Sequence, residues 1–160
     1  MLFRSVLYRI SAHEHVDGGL TPEDAARIAP HLQQAGIDLI DVSAGIYESA
    51  PWIVQPMEMP QACLADLAAA IRPAVSIPVS VAGRISDPQV AESLLAGGTA
   101  DFVTLGRALH ADPDWPEKAR AGRAAEICYC VACLQCSDLL GRNEPVLCLA
   151  NTRTARERSH

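Results

Sequence analysis

Residues 77–107, IPVSVAGRISDPQVAESLLAGGTADFVTLGR, contain the pattern that decides the fold. The stretch begins with a short apolar run, residues 77–82, of the length and composition typical of a buried strand. Asp87 and Pro88 suit the start of a helix, and a Gly-Gly pair ends it. A second apolar run, residues 101–105, follows. The stretch therefore predicts a strand, a helix and another strand.

The same alternation runs through the preceding residues. Thr21 supplies an N-cap hydroxyl, and Pro22 suits the first helical position. The pattern predicts strands at residues 6–10 and 37–43 and helices at residues 22–34 and 64–71. Short connections between strands and helices imply parallel pairing through right-handed crossovers. We expect an α/β fold, either an open doubly wound sheet or half of a (β/α)8 barrel.

Composition limits the function classes. The chain has 160 residues, is 49% hydrophobic and carries 13 Lys and Arg against 19 Asp and Glu. This acidic balance argues against a nucleic-acid partner, because no basic stripe is available to neutralise phosphates. No apolar stretch approaches the roughly 20 residues of a membrane span. We expect a cytoplasmic protein without a membrane partner.

The dipeptide Gly-Arg follows both strands of the opening stretch, as Gly83-Arg84 and Gly106-Arg107. In a (β/α)8 barrel, the loops after the last two strands commonly bind a phosphate group. Glycine lets backbone N–H groups approach the oxygens, and arginine adds a charged fork. The alternative is two tight turns that each carry a solvated charge. Their position at consecutive strand ends favours a phosphate site.

Two other strand regions carry candidate residues. Arg9 lies within the first apolar strand, where a cation is costly unless it faces a ligand or an anion; the alternative is an arginine exposed at a strand end. Tyr47 follows the second strand, where barrels place catalytic groups, and its phenol can donate a proton. His13 and His15 lie in a polar loop, and we assign them no role.

The cysteines form the most specific motif. Five of the six fall within residues 128–148, in an expected reducing compartment that disfavours disulfides. The spacing Cys-x2-Cys-x2-Cys-x11-Cys favours an iron–sulfur cluster over zinc, because zinc ribbons usually pair two separate Cys-x2-Cys knuckles. Cys128 and Cys63 fall outside this pattern, and we expect Cys63 to be a small buried hydrophobe. The candidate ligands are Cys130, Cys133, Cys136 and Cys148.

With these motifs, the chain resembles the Old Yellow Enzyme superfamily, in its iron–sulfur branch with 2,4-dienoyl-CoA reductase, trimethylamine dehydrogenase and the enoate reductases. The resemblance covers nearly the whole chain. Its most telling stretches are YRIS, AGIDLIDVSAG, IPVSVAGRISDPQVAESLLAGG, ADFVTLGRALHADPDWPEKARAG and the cysteine loop. GIYE, residues 45–48, is similar to the enoate reductases, whereas the dienoyl-CoA reductases carry a histidine where Tyr47 stands.

The resemblance implies that the chain contains barrel strands five to eight. It implies an FMN cofactor whose pyrimidine edge faces Arg9 and whose phosphate is held by the two Gly-Arg segments, Gly83, Arg84, Gly106 and Arg107. It also implies a 4Fe-4S cluster on the four cysteines. The implied activity is that of an NAD(P)H:flavin oxidoreductase, an ene-reductase or dehydrogenase acting on a small molecule such as an α,β-unsaturated carbonyl or an amine.

We expect two regions, a half-barrel over residues 1–122 and a cluster-binding segment with a C-terminal tail over residues 123–160. Since four strands cannot enclose a barrel core, we expect a homo-oligomer or pairing with a missing N-terminal half. Two alternatives to a partial catalytic domain stay open. One is a non-catalytic half-barrel module that assembles with itself or with a partner chain. The other is a cluster-bearing electron-transfer protein without FMN.

Overall fold

The structure, a computed structural model, describes residues 5–156. Four parallel strands form one sheet in the order β1-β2-β3-β4. They are β1 Leu7–Ser11, β2 Leu39–Ser43, β3 Val79–Val81 and β4 Phe102–Val103. A doubly wound sheet reverses its strand order at a switch point. The uninterrupted order instead matches half of a (β/α)8 barrel, so the predicted fold class is confirmed.

Helices connect and follow the strands. Thr21 caps the first helix as predicted, because its hydroxyl accepts from the Asp24 N–H while the Asp24 carboxylate accepts from the Thr21 N–H. The helices are α1 Pro22–Gln34, α2 Ala50–Ile53, α3 Ala65–Ile71, α4 Pro88–Ala96, α5 Arg107–Ala111, α6 Trp115–Arg120 and α7 Gln135–Gly141. Short 3-10 turns occupy Tyr47–Ser49, Arg72–Ala74 and Ala124–Glu126.

The helix bounds agree closely with the sequence predictions, and β1 has the predicted length, shifted by one residue, whereas β2, β3 and β4 are shorter than predicted. The ladder of β4 has two residues. Backbone hydrogen bonds to β3 extend beyond it, because the Asp101 N–H donates to the Val79 carbonyl oxygen and the Thr104 N–H donates to the Val81 carbonyl oxygen. Among the described residues, β4 pairs with β3 alone. From Arg107 onward, the described part of the chain contains three short helices.

The core lies between the sheet and the helices. The two central strands contribute fully buried side chains, and α3 adds Ile71 from the helical layer. The edges of the sheet differ from the centre, because Leu7 on β1 is 64% exposed and Phe102 on β4 is 52% exposed. The buried residues of the central strands are Ile40, Val42, Val79 and Val81. No helix within residues 5–156 is both long enough and apolar enough to cross a membrane.

Candidate functional site

A cavity of about 260 Å³ lies at the carboxyl ends of the strands, the edge where (β/α)8 barrels place their ligand sites. We call it the strand-end pocket. It brings together all five residues predicted to contact FMN. Its lining residues include Arg9, Val54, Gln55, Gly83, Arg84, Ser86, Thr104, Gly106, Arg107, Cys130, Ala132 and Ser137.

Its two glycines have different roles. Gly83 has φ +109°, and a Cβ there would lie 2.7 Å from Cγ of the buried Leu64. A side chain is therefore excluded at Gly83 by both conformation and space. A Cβ on Gly106 would meet no atom within 4 Å, so open space lies beside its backbone. This open space in front of a glycine backbone suits a phosphate group.

Arg84 and Arg107 are held by the loop between α2 and α3. Arg84 Nη1 donates to the carbonyl oxygens of Met57, at 2.9 Å, and of Met59. Arg107 Nη1 donates to the Gln55 carbonyl oxygen at 2.6 Å. Neither arginine forms an ion pair with a described carboxylate, and neutral carbonyl groups do not cancel the positive charge. Two fixed cations consequently line the pocket, which favours an anionic ligand group.

A polar network crosses the sheet below Arg9. Arg9 Nη1 forms an ion pair with Asp41 Oδ2 at 2.6 Å, and its side chain is 54% exposed. Asp41 Oδ1 accepts a hydrogen bond from the Thr104 hydroxyl at 2.7 Å. The Thr104 hydroxyl in turn lies 2.6 Å from the Ser80 hydroxyl. Arg9, Asp41 and Ser80 are register partners on adjacent strands. Arg9 is thus paired with an anion and also exposed, and its contact with a ligand stays a prediction.

Tyr47 is not among the residues that line the strand-end pocket. It begins the 3-10 turn after β2, and its side chain is 93% exposed. Its predicted catalytic role stays a prediction. Nearby, the His15 ring stacks on Trp52 with centroids 3.6 Å apart, and burial together with the neighbouring His13 lowers the pKa of His15. His15 Nε2 is buried without a hydrogen-bond partner among the described residues.

All four candidate cysteine ligands, Cys130, Cys133, Cys136 and Cys148, line a second pocket. This cysteine pocket adjoins the strand-end pocket, because Arg107, Cys130 and Ala132 line both. Burial raises the pKa of the Cys130 thiol, while the Ala132 N–H and the Arg107 cation act in the opposite direction. No three His, Cys, Asp or Glu residues within the described range are grouped closely enough to hold one metal ion.

The two cysteines outside the motif occupy other surroundings. Cys63 packs against the apolar core, although it is partly rather than fully buried, and burial raises the pKa of its thiol. Cys128 lies at the start of the cysteine loop, where its Sγ donates to the Ala150 carbonyl oxygen at 3.2 Å.

Sequence reasoning missed several residues of the strand-end pocket. Gln55 is buried in the loop after α2 and holds Arg107, but nothing in the Pro- and Met-rich sequence around it signals this contact. Asp41 had a detectable signal, since it is a carboxylate in the middle of the strand IDLIDVS. A charge at that position needs a partner, and Arg9 in the preceding strand is the matching cation.

The chain belongs to the NADH:flavin oxidoreductase / NADH oxidase family, whose model matches residues 3–126. It is 46% identical over 128 residues to the NADH oxidase of Thermoanaerobacter brockii, which covers 80% of this chain and 20% of that protein. It is 36% identical over 154 residues to the metal reductase of Desulforamulus reducens, covering 95% of this chain and 23% of the relative. The chain thus spans about a fifth of the length of these relatives.

Solved structures show the same likeness. 2-Naphthoyl-CoA reductase in complex with 2-naphthoyl-CoA superposes with a TM-score of 0.87 at 30% identity, over 93% of this chain and 23% of that one. Histamine dehydrogenase from Rhizobium sp. 4-9 has a TM-score of 0.84 at 25% identity, over 96% and 22% of the two chains. Because these matches extend over nearly the whole chain, the likeness includes the cysteine loop. The predicted family is confirmed.

Proposed function

We propose that this chain supplies the phosphate-binding end and the pyrimidine-edge contact of an FMN site in an NAD(P)H-dependent oxidoreductase. One observation carries the proposal. A single 260 Å³ pocket at the strand ends is lined by Arg9 and by both Gly-Arg pairs, and no described carboxylate side chain lines it. FMN, when bound, supplies the ability to accept electrons from NAD(P)H and pass them on.

Each pocket residue has a physical role toward FMN. Gly106 leaves open space in which a phosphate oxygen can approach the backbone, and Gly83 keeps the strand end close to Leu64. Arg84 and Arg107 provide positive charge at positions fixed by backbone carbonyl groups. Arg9 presents an oriented guanidinium to the ring edge, because Asp41 holds it from below. Asp41 also offsets part of the cation's charge.

We further propose that Cys130, Cys133, Cys136 and Cys148 bind a 4Fe-4S cluster. Four thiol groups facing one pocket form the donor set that such clusters require. A tetrahedral zinc site would need its sulfur atoms about 3.8 Å apart, whereas a cluster binds each thiolate through a separate iron atom and spaces the sulfurs more widely. The Cys-x2-Cys-x2-Cys-x11-Cys spacing favours the cluster over zinc, because zinc ribbons usually pair two separate Cys-x2-Cys knuckles.

Substrate, partners and location belong to this proposal as well. The relatives are named as oxidases, reductases and dehydrogenases of small molecules, in agreement with an α,β-unsaturated carbonyl or an amine as substrate. The exposed apolar residues of β1 and β4 support pairing of both sheet edges with further barrel strands, from this or another polypeptide. A boundary near residue 122, a Tyr47 proton donor and a cytoplasmic location remain predictions.

Fluorescence titration with FMN tests the flavin site. Replacing Arg107 with alanine is expected to weaken FMN binding by roughly 10- to 100-fold, the loss typical of one charged hydrogen bond. Arg142→Ala is the matched control, because Arg142 lies on the surface beyond α7 and does not line the strand-end pocket. Equal affinities of the two variants would contradict the proposed phosphate contact.

The electron-transfer alternative without FMN makes the opposite prediction. A protein of that kind would keep its iron but show no flavin affinity in the same titration. The two fixed cations of the strand-end pocket, which form no ion pair with a described carboxylate, disfavour this alternative, because it gives them no ligand.

A further inference from the structure

The turn at the end of α5 holds the entrance of the cysteine loop. Asp112 is 3% exposed, and its Oδ2 accepts from the Cys128 N–H at 2.9 Å. The same carboxylate is fixed by Lys118 Nζ at 2.7 Å and by the Asp114 N–H at 3.1 Å. Cys128 lies two residues before the first candidate ligand. The backbone that enters the loop is therefore tied to a rigid, buried anion.

The same turn also holds the exit of the loop. The His110 carbonyl oxygen accepts from the Thr154 hydroxyl at 2.7 Å and from Asn151 Nδ2 at 3.0 Å. Thr154 is buried, although the residues around it are mostly exposed. Cys128 Sγ in turn donates to the carbonyl oxygen of Ala150. Entrance and exit are thus held side by side on three consecutive residues, 110–112.

The loop between these attachments has little packing of its own. Of the described residues beyond position 122, Ile127 alone belongs to the main apolar core. Closing a flexible loop removes conformational freedom before a ligand binds, and preorganised ligands bind more tightly and release more slowly. All four candidate ligands fall between the two attachment points.

We propose that residues 110–112 act as a clamp that preorganises the four cysteines for the cluster, with Asp112 and Thr154 as positioning residues. This inference rests on the proposed cluster site. α5 begins at Arg107 on the wall of the strand-end pocket and ends at the clamp, so one short helix fixes the cysteine loop relative to that pocket. Loosening either attachment should accelerate cluster loss and alter the cluster's surroundings.

A matched pair at Thr154 tests the exit. Thr154→Val keeps the shape of the side chain but removes the hydroxyl, whereas Thr154→Ser keeps the hydroxyl. In the anaerobically purified protein, we expect Thr154→Val to release iron to a chelator roughly threefold to tenfold faster than wild type, the range for one hydrogen bond. Thr154→Ser should stay within about twofold of wild type. The EPR spectrum of the reduced protein should change in Thr154→Val and not in Thr154→Ser.

Asp112→Ala tests the entrance and should accelerate iron release at least as much, because it frees the Cys128 N–H. The control is Glu117→Ala on α6, where the Glu117 side chain forms an exposed ion pair with Arg120. If Asp112→Ala fails to fold because Lys118 loses its partner, the Thr154 pair decides the question.

The outcomes separate the two proposals. If the wild-type protein contained no iron, both the proposed cluster site and the proposed clamp would be refuted. Wild type with about four irons, combined with unchanged release and EPR spectra in Thr154→Val and Asp112→Ala, would refute the clamp and leave the cluster site intact. Equal acceleration in Thr154→Val and Thr154→Ser would also refute it, because the serine variant retains the hydrogen bond.

Discussion

The half-barrel, residues 5–122, and the cysteine segment, residues 123–156, are stabilised by different interactions. In the half-barrel, buried strand side chains such as Ile40 and Val81 pack under a layer of helices. In the cysteine segment, Leu140 and Leu149 are exposed, and hydrogen bonds from Cys128 and Thr154 attach the segment to the turn after α5. The comparison indicates that the half-barrel depends on apolar burial, whereas the segment has few core residues and is attached through hydrogen bonds.

Replacing a candidate cysteine ligand should give the largest difference between the two regions. We expect Cys133→Ser to abolish cluster binding, because the cubane then lacks one of its four thiolates. Hydrogen exchange should accelerate in residues 123–156 and remain at wild-type rates in the central strands. Cys63→Ser is the control, since Cys63 lies outside the cysteine pocket and should leave the iron count unchanged. Retention of the full iron count by Cys133→Ser would show that Cys133 is not a ligand.

A cavity in the apolar core should destabilise the half-barrel. Ile40→Ala is expected to lower the free energy of unfolding by about 2–5 kcal/mol, since it removes a fully buried side chain from β2. Leu140→Ala, on the exposed face of α7, should change it by no more than about 0.5 kcal/mol. Denaturant titration measures both. Similar losses of unfolding free energy in the two variants would contradict the proposed difference between the regions.

The N-cap of α1 offers a smaller test within the half-barrel. Thr21→Ala should cost about 1 kcal/mol of unfolding free energy, because it removes the acceptor of the Asp24 N–H. Hydrogen bonds from Thr21 and the Arg27 contact lower the pKa of Asp24 to about 2. Their stabilising effect is present above the ordinary carboxyl pKa near 4 and is lost as the pH falls through about 2. Thermal unfolding between pH 5 and pH 2 should show this difference between wild type and Thr21→Ala, and identical curves would argue against the cap's contribution.

The smallest effect on cofactor binding is expected at Tyr47. Tyr47→Phe should leave FMN affinity within about twofold of wild type, because the exposed phenol does not line the strand-end pocket. A decrease in turnover with unchanged FMN affinity would support the predicted proton-donating role, whereas unchanged turnover would remove it.

Local patterns predicted the fold well where they determine structure by themselves. The cap and proline at Thr21 and Pro22 gave the bounds of α1, and apolar runs located all four strands. Three of the four strands were predicted too long, because an apolar run indicates burial and does not mark where the ladder hydrogen bonds begin and end.

The site was predictable only in part. Residue type and spacing identified the Gly-Arg pairs and the cysteines that the two adjoining pockets collect. Gln55 and Asp112 escaped prediction because their contacts join distant parts of the chain through backbone groups, which leave no periodic signal in the sequence.

The most direct test of the central claim, that one chain supplies adjacent sites for FMN and a 4Fe-4S cluster, is a combined cofactor count. The protein is purified anaerobically, and its absorbance spectrum is recorded with chemical assays of iron, sulfide and flavin. We predict about four irons and four sulfides per chain together with bound FMN. Zinc in place of iron, or iron without any flavin, would contradict the claim.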